Sequence, residues 1–168
     1  MSKEIALAVI FSFFLLACTS ALSNQVMQQA DQVIAFPDLQ RQPERYRGAV
    51  VILGGQILET VVKQDETRVQ VLQLPLGAQQ RPDNAAASQG RFIVIYKRFV
   101  DSLVYEKGRK ITVAGMVEGG QAITLNDRLY ILPVLLERET HLWKTEDYGP
   151  SYAPGTAIQF GVGIGVGR

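Results

Sequence analysis

Cys18 is the single cysteine among 168 residues. It stands directly behind Leu15-Leu16-Ala17, at the end of an apolar run. A lone thiol after a small residue at the mouth of a short hydrophobic segment has the pattern of a lipobox. The expected chemistry is attachment of diacylglycerol to the sulfur, cleavage between Ala17 and Cys18, and acylation of the new amine. The segment before it suits that use. Lys3 and the free amine give a positive end, and residues 5–17 are apolar except for Ser12. That is the length of a signal-peptide core, short of the roughly 20 residues a bilayer-spanning helix needs. One acyl chain gives marginal, reversible binding, whereas two or three give stable anchoring. A lipidated Cys18 would also leave the mature chain without a free thiol or disulfide.

Few other side chains offer chemistry. His141 is the only histidine, and on an alternating strand it would share a face with Glu139 and Glu137, which makes a metal or acid/base site conceivable. A lone histidine among surface carboxylates is more often a solvated or hydrogen-bonded side chain. Neither a Gly-x-Ser-x-Gly nor a His-Glu-x-x-His pattern is present. Asp65-Glu66 sits in a predicted turn, where adjacent carboxylates point apart. The expectation is therefore a protein without catalytic residues, metal or cofactor.

Arg41, Arg45 and Arg47, then Lys97-Arg98, then Lys107, Arg109 and Lys110 form basic clusters interleaved with Tyr46, Phe99 and Tyr105. Such residues could stack on and pair with a nucleic-acid single strand or an oligosaccharide, face anionic lipid or lipopolysaccharide, or simply form a mixed charged surface. The formal net charge of +1 argues against nucleic acid. Removing residues 1–17 takes away Lys3 and Glu4 together and leaves that balance unchanged. Tyr46, Phe92, Tyr96 and Tyr105 make the candidate ligand surface.

These residues need a scaffold, and the patterning is mostly β. Residues 18–35 are polar and Gln-rich, which predicts a tether, although Val26, Met27, Ala30, Val33 and Ile34 could line a short amphipathic helix. Residues 49–62 read as one long strand bent at Gly54-Gly55. A turn at 63–66 and a second strand over 67–74 complete a hairpin. Residues 75–89 read as a loop. Residues 92–96 are apolar on both faces, so this strand should be central or covered. The one short helix is expected within 100–107, closed by Gly108. Alternation resumes from Lys110, Glu118-Gly119-Gly120-Gln121 reads as a turn, and the last strand pair uses 122–125 and 128–142, with Pro133 demanding an edge or a bulge. The order predicts an all-β, small OB-like, partly open barrel. The expected organisation is a signal peptide over 1–17, the tether over 18–35, the β domain over 36–148 and a Gly-rich tail over 149–168. The alternating glycines of that tail fit either a mobile end or a strand added to a partner's sheet.

The chain resembles the Slp family of outer-membrane lipoproteins from about Phe36 to Gly149. The resemblance is carried by Pro43-Glu44-Arg45-Tyr46-Arg47-Gly48, Gly54-Gly55-Gln56-Ile57, Leu74-Pro75-Leu76, Arg81-Pro82 and Gly90-Arg91-Phe92. It continues through Val100-Asp101, Tyr105, Gly115, Tyr130, Leu142-Trp143 and Tyr148-Gly149. Leu53 and Ser102 depart from it. The resemblance implies a starvation-linked envelope role with no reaction attached to residues. In lipoproteins of double-membrane bacteria an aspartate after the cysteine retains the protein in the inner membrane. Thr19 and Ser20 are not that signal, so resemblance to that class implies the outer membrane, periplasmic side. The expected partners, read from the lipobox and the basic and aromatic clusters, are membrane lipid through Cys18 and an envelope protein, a glycan or lipopolysaccharide.

Overall fold

The computed structural model describes residues 20–83, 88–125 and 127–144. Ala17, Cys18 and the Gly-rich tail lie outside the described residues. Five strands, β1 (Val50–Val62), β2 (Thr67–Leu74), β3 (Arg91–Tyr96), β4 (Lys110–Leu125) and β5 (Arg128–Leu142), close into a barrel in the order β1-β2-β3-β5-β4. Every neighbouring pair is antiparallel except β3 and β5, which run parallel through Ile93, Val94 and Ile95 against Val134, Leu135 and Leu136. This is the OB-like barrel expected from the sequence, closed rather than partly open because β3 pairs with β5.

The alternation of each strand sets the inside. Val51, Leu53, Val69, Val71, Phe92, Val94, Tyr96, Ile111, Val113 and Leu135 point inward and form the core. Two short helices, α1 (Asn24–Gln29) and α2 (Phe36–Arg41), precede the barrel. A helix of six residues has too few hydrogen bonds to stand alone. Tertiary burial of Phe36 and Leu39 holds α2 across one mouth of the barrel, where Phe36 meets Phe92 edge-on at 6.2 Å. Tyr105 closes the other mouth, edge-on to Tyr96 at 5.3 Å.

Gly54 and Gly55 lie where β1 pairs with β2 on one side and β4 on the other. A Cβ at Gly54 would overlap the Leu76 side chain, and one at Gly55 the Leu72 carbonyl. The glycines therefore let the strands and the loop after β2 approach closely, while the bulge in β1 falls further on, between Ile57 and Glu59.

Three expectations are corrected. The predicted turn at Glu118-Gly119-Gly120-Gln121 lies inside β4, where an extra residue at Glu118 makes a bulge and the strand continues to Leu125. Gly119 has φ of +127°, and the Gly120 N–H donates to Glu44 Oε1 at 3.0 Å. Pro43 packs where a Gly120 side chain would stand, so a contact distant in sequence turns an apparent hairpin signal into a bend. Residues 100–107 form turns around Asp101, whose carbonyl accepts from Val104 and Tyr105, and no helix. Gly108 does adopt the left-handed region, at φ of +94°. Residues 20–35, expected as a tether, lie on the barrel. Leu22 is buried, Ser23 donates from its amide and hydroxyl to Glu139, and the Asp31 amide donates to the Val50 carbonyl.

Pro133 meets its expectation. β3 begins to pair with β5 only at Val134, so Pro133 faces Gly120 of β4 and needs no second partner. Beyond this point β4 and β5 form a two-stranded arm that curls over the outside of β3. There Ile93 and Ile95 pack against Leu132 and Val134, which explains why β3 is apolar on both faces.

Candidate functional site

The arm creates a groove. On β2 and β3 the outward residues Arg68, Gln70, Arg91 and Ile93 alternate with the core residues Val69, Val71 and Phe92. Opposite them stand Gln121, Ile123 and Leu132, enclosing a cleft of about 390 Å³ with Glu59 and Lys63 at its rim. A second cleft of about 570 Å³ adjoins it between α2 and Leu129, Tyr130 and Ile131. Arg91 and Leu132 line both, so the two make one groove. Its walls combine basic groups with apolar side chains and the partly exposed ring of Tyr130.

The end of the groove at the β1–β2 turn is braced by charge. Glu66 accepts from Arg68 Nε at 2.7 Å and from Lys97 Nζ at 2.8 Å, and Arg68 Nη1 donates to Gln121 at 3.1 Å. The arm is thereby tied to β2. Lys97, then Arg68, hold the Glu66 carboxyl down to about 2. Because this folded-state value lies below the ordinary 4.5, the stabilisation is complete above that value and is lost as pH falls toward 2. A Glu66→Gln variant should show a flatter decline of its urea midpoint between pH 5 and pH 2 than the parent, to be followed by tryptophan fluorescence. Parallel declines would remove Glu66 as the acid-sensitive brace.

The residues singled out in the sequence lie elsewhere. Phe92 and Tyr96 are wholly buried, one at each end of the core, and offer no ring to a ligand. The alternation that makes β3 apolar on both faces does not reveal which face is inside. Tyr96 forms a polar plug with Tyr105, Thr140, Arg98 and Glu137. Its hydroxyl lies 3.1 Å from Thr140 Oγ1, and the Arg98 guanidinium, 5.0 Å over its ring, donates to Glu137 at 2.9 Å. Burial pushes both tyrosine hydroxyls above their usual range. Tyr46 is half-buried on the core near Arg45, apart from the plug.

His141 and Glu139 share a face, and Glu137 does not join them. A bulge at Arg138 shifts the register, so that Glu137 joins the Tyr96 plug while Glu139 binds Ser23. The His141 ring packs edge-on to Trp143 at 4.5 Å. Among the described residues no cluster of three or more His, Cys, Asp or Glu could hold a metal. Sequence reasoning passed over Arg91, Tyr130 and Ile131. Pro133 carried the available signal, since an edge strand with apolar residues on both sides leaves one side open.

The description "Outer membrane lipoprotein Slp family" matches residues 15–162. The chain is 30% identical over 122 residues to outer membrane protein Slp of Escherichia coli, covering 72% of this chain and 64% of that one. It is 34% identical over 102 residues to an uncharacterized protein of Haemophilus influenzae, covering 58% and 55%. The matched stretch thus spans less than two thirds of either relative. Among solved structures, the mitochondrial single-stranded DNA binding protein Rim1 of S. cerevisiae aligns with a TM-score of 0.36 and 12% identity over 57% of this chain and 95% of its own. An OBody bound to hen egg-white lysozyme aligns with a TM-score of 0.37 and 13% identity over 58% and 84%.

Proposed function

Because the chain belongs to the Slp family of outer membrane lipoproteins, we propose that lipids on Cys18 hold its barrel on the periplasmic side of that membrane and that it acts by binding, without catalysis. The observation that carries the binding role is the groove under the arm. OB-like barrels take ligands across the outer face of their second and third strands, between the first and last hairpin loops. Here that face carries Arg68 and Arg91 beside apolar walls, with Tyr130 further along. A cation next to a stackable ring suits an anionic envelope glycan: the ring covers a sugar face and the guanidinium pairs with its acid group. A starvation-linked role accords with the family name and belongs to the same proposal.

Titration of the mature protein with anionic oligosaccharides of the envelope tests this reading. Arg91→Ala and Tyr130→Ala should each weaken binding about tenfold, equivalent to about 1.4 kcal/mol, while leaving thermal unfolding nearly unchanged because both lie at the surface. Silence of the parent protein across acidic glycans would sink it, and retention on lipid headgroups alone would shift the ligand to the second class that the groove could take.

A further inference from the structure

The connection from β3 to β4 is an apolar, exposed turn. Phe99 is 72% and Leu103 83% exposed, with Val104 beside them. Large apolar side chains held this far into solvent, three within six residues, mark a surface with a partner. Around them stand Lys107 and the exposed Lys97 and Arg98, which pair with Glu66 and Glu137, against Asp101 and Glu106. Asp101 turns its carboxylate inward on the loop to accept from the Leu103 amide at 2.8 Å, which fixes Leu103 in its projecting position. Apolar tips with a basic surround are the pattern of a segment that settles into the interface of an anionic bilayer.

A relay of hydrogen bonds joins the start of the described chain to this turn. Ser20 donates to Gln80, whose carbonyl accepts from Thr112, and Thr112 in turn accepts from the Trp143 indole. The Arg109 guanidinium then joins the Trp143 and Val104 carbonyls. Ser20 and the apolar turn are thus linked through contiguous side chains. Since residues 20–35 are bound to the barrel, only Thr19 separates Cys18 from a fixed point, and two residues of chain reach at most about 7 Å.

We propose that the turn carrying Phe99, Leu103 and Val104 docks into the phospholipid surface that holds the Cys18 lipids, so that the barrel lies against the membrane in one orientation. This rests on the lipidation of Cys18, and the test separates the two. In the full, processed protein in phosphatidylethanolamine–phosphatidylglycerol vesicles, cysteines replace Phe99, Leu103 or, on the arm, Leu129, which is 73% exposed at the other end of β5. Each receives a maleimide spin label. One label per chain is expected, because a thioether at Cys18 cannot react. Labels at 99 and 103 should show an oxygen-to-nickel-chelate accessibility ratio several-fold above that at 129. Equal, aqueous ratios at all three positions with one label per chain would overturn the docking alone. Two labels per chain would overturn the anchor and the proposal with it. Because all three sites are exposed, the substitutions should leave the fold intact, which the thermal midpoint of each labelled protein verifies.

Discussion

A Cys18→Ser variant is expected to carry no lipid, to keep its uncleaved leader and to disappear from the outer-membrane fraction, held at the inner membrane by the apolar residues 5–17. The argument is one of chain count. Each buried methylene contributes about 0.8 kcal/mol, so the two chains of a diacylglycerol hold the protein far more firmly than any loop on the barrel can. The serine hydroxyl cannot accept that lipid, and without it the processing that frees residue 18 does not follow. What remains attached is the apolar leader, which salt does not release. Separation of inner from outer membranes, together with the mass of the intact chain, measures both effects. A variant that still fractionates with the outer membrane would remove Cys18 as the anchor.

Phe92→Ala should cost about 3–5 kcal/mol of stability, a large part of the 5–15 kcal/mol typical of a domain. Phe92 is wholly buried, and its ring fills the mouth of the barrel against Phe36 of α2. Truncation leaves a cavity that closed, doubly paired strands cannot collapse to fill, and it releases the contact that holds a helix too short to persist without it. The thermal midpoint should fall by on the order of 15 °C. Leu103→Ala, at a position 83% exposed, should shift stability by no more than about 0.5 kcal/mol. Loss of ligand binding with an unchanged midpoint in Phe92→Ala would place that ring at the surface and contradict the core described above.

Much of the barrel is legible in the chain because strand patterning is local. Val69 and Val71 alternate with Arg68 and Gln70, and the strand bounds of β2 and β5 agree with those read from the pattern. The arm is not legible in the same way. Gly119-Gly120 has the composition of a turn, and it becomes a bulge only because Pro43 and Glu44, far away in sequence, occupy the space beside it. The same holds for Glu137 and His141. Strict alternation puts them on one face, and a single extra residue at Arg138 parts them. The groove depends on where the arm folds, so its residues could not be chosen from periodicity alone. Cys18 is the opposite case, since its expected chemistry is read by processing enzymes from a short linear segment and needs no fold.

The parallel pairing of β3 with β5 also governs the order of events in making the barrel. β1, β2 and β3 are joined by consecutive antiparallel pairs and can assemble as the chain emerges, but the free edge of β3 must wait for residues 134–136. Closing a ring across some forty intervening residues is slow compared with forming a hairpin. Until then an unpaired, strongly apolar strand edge is open to any other chain. The interval between the folding of the β1–β3 sheet and the docking of residues 134–136 is therefore a period in which this protein is exposed to aggregation, and the last strand in the chain is the one that ends it.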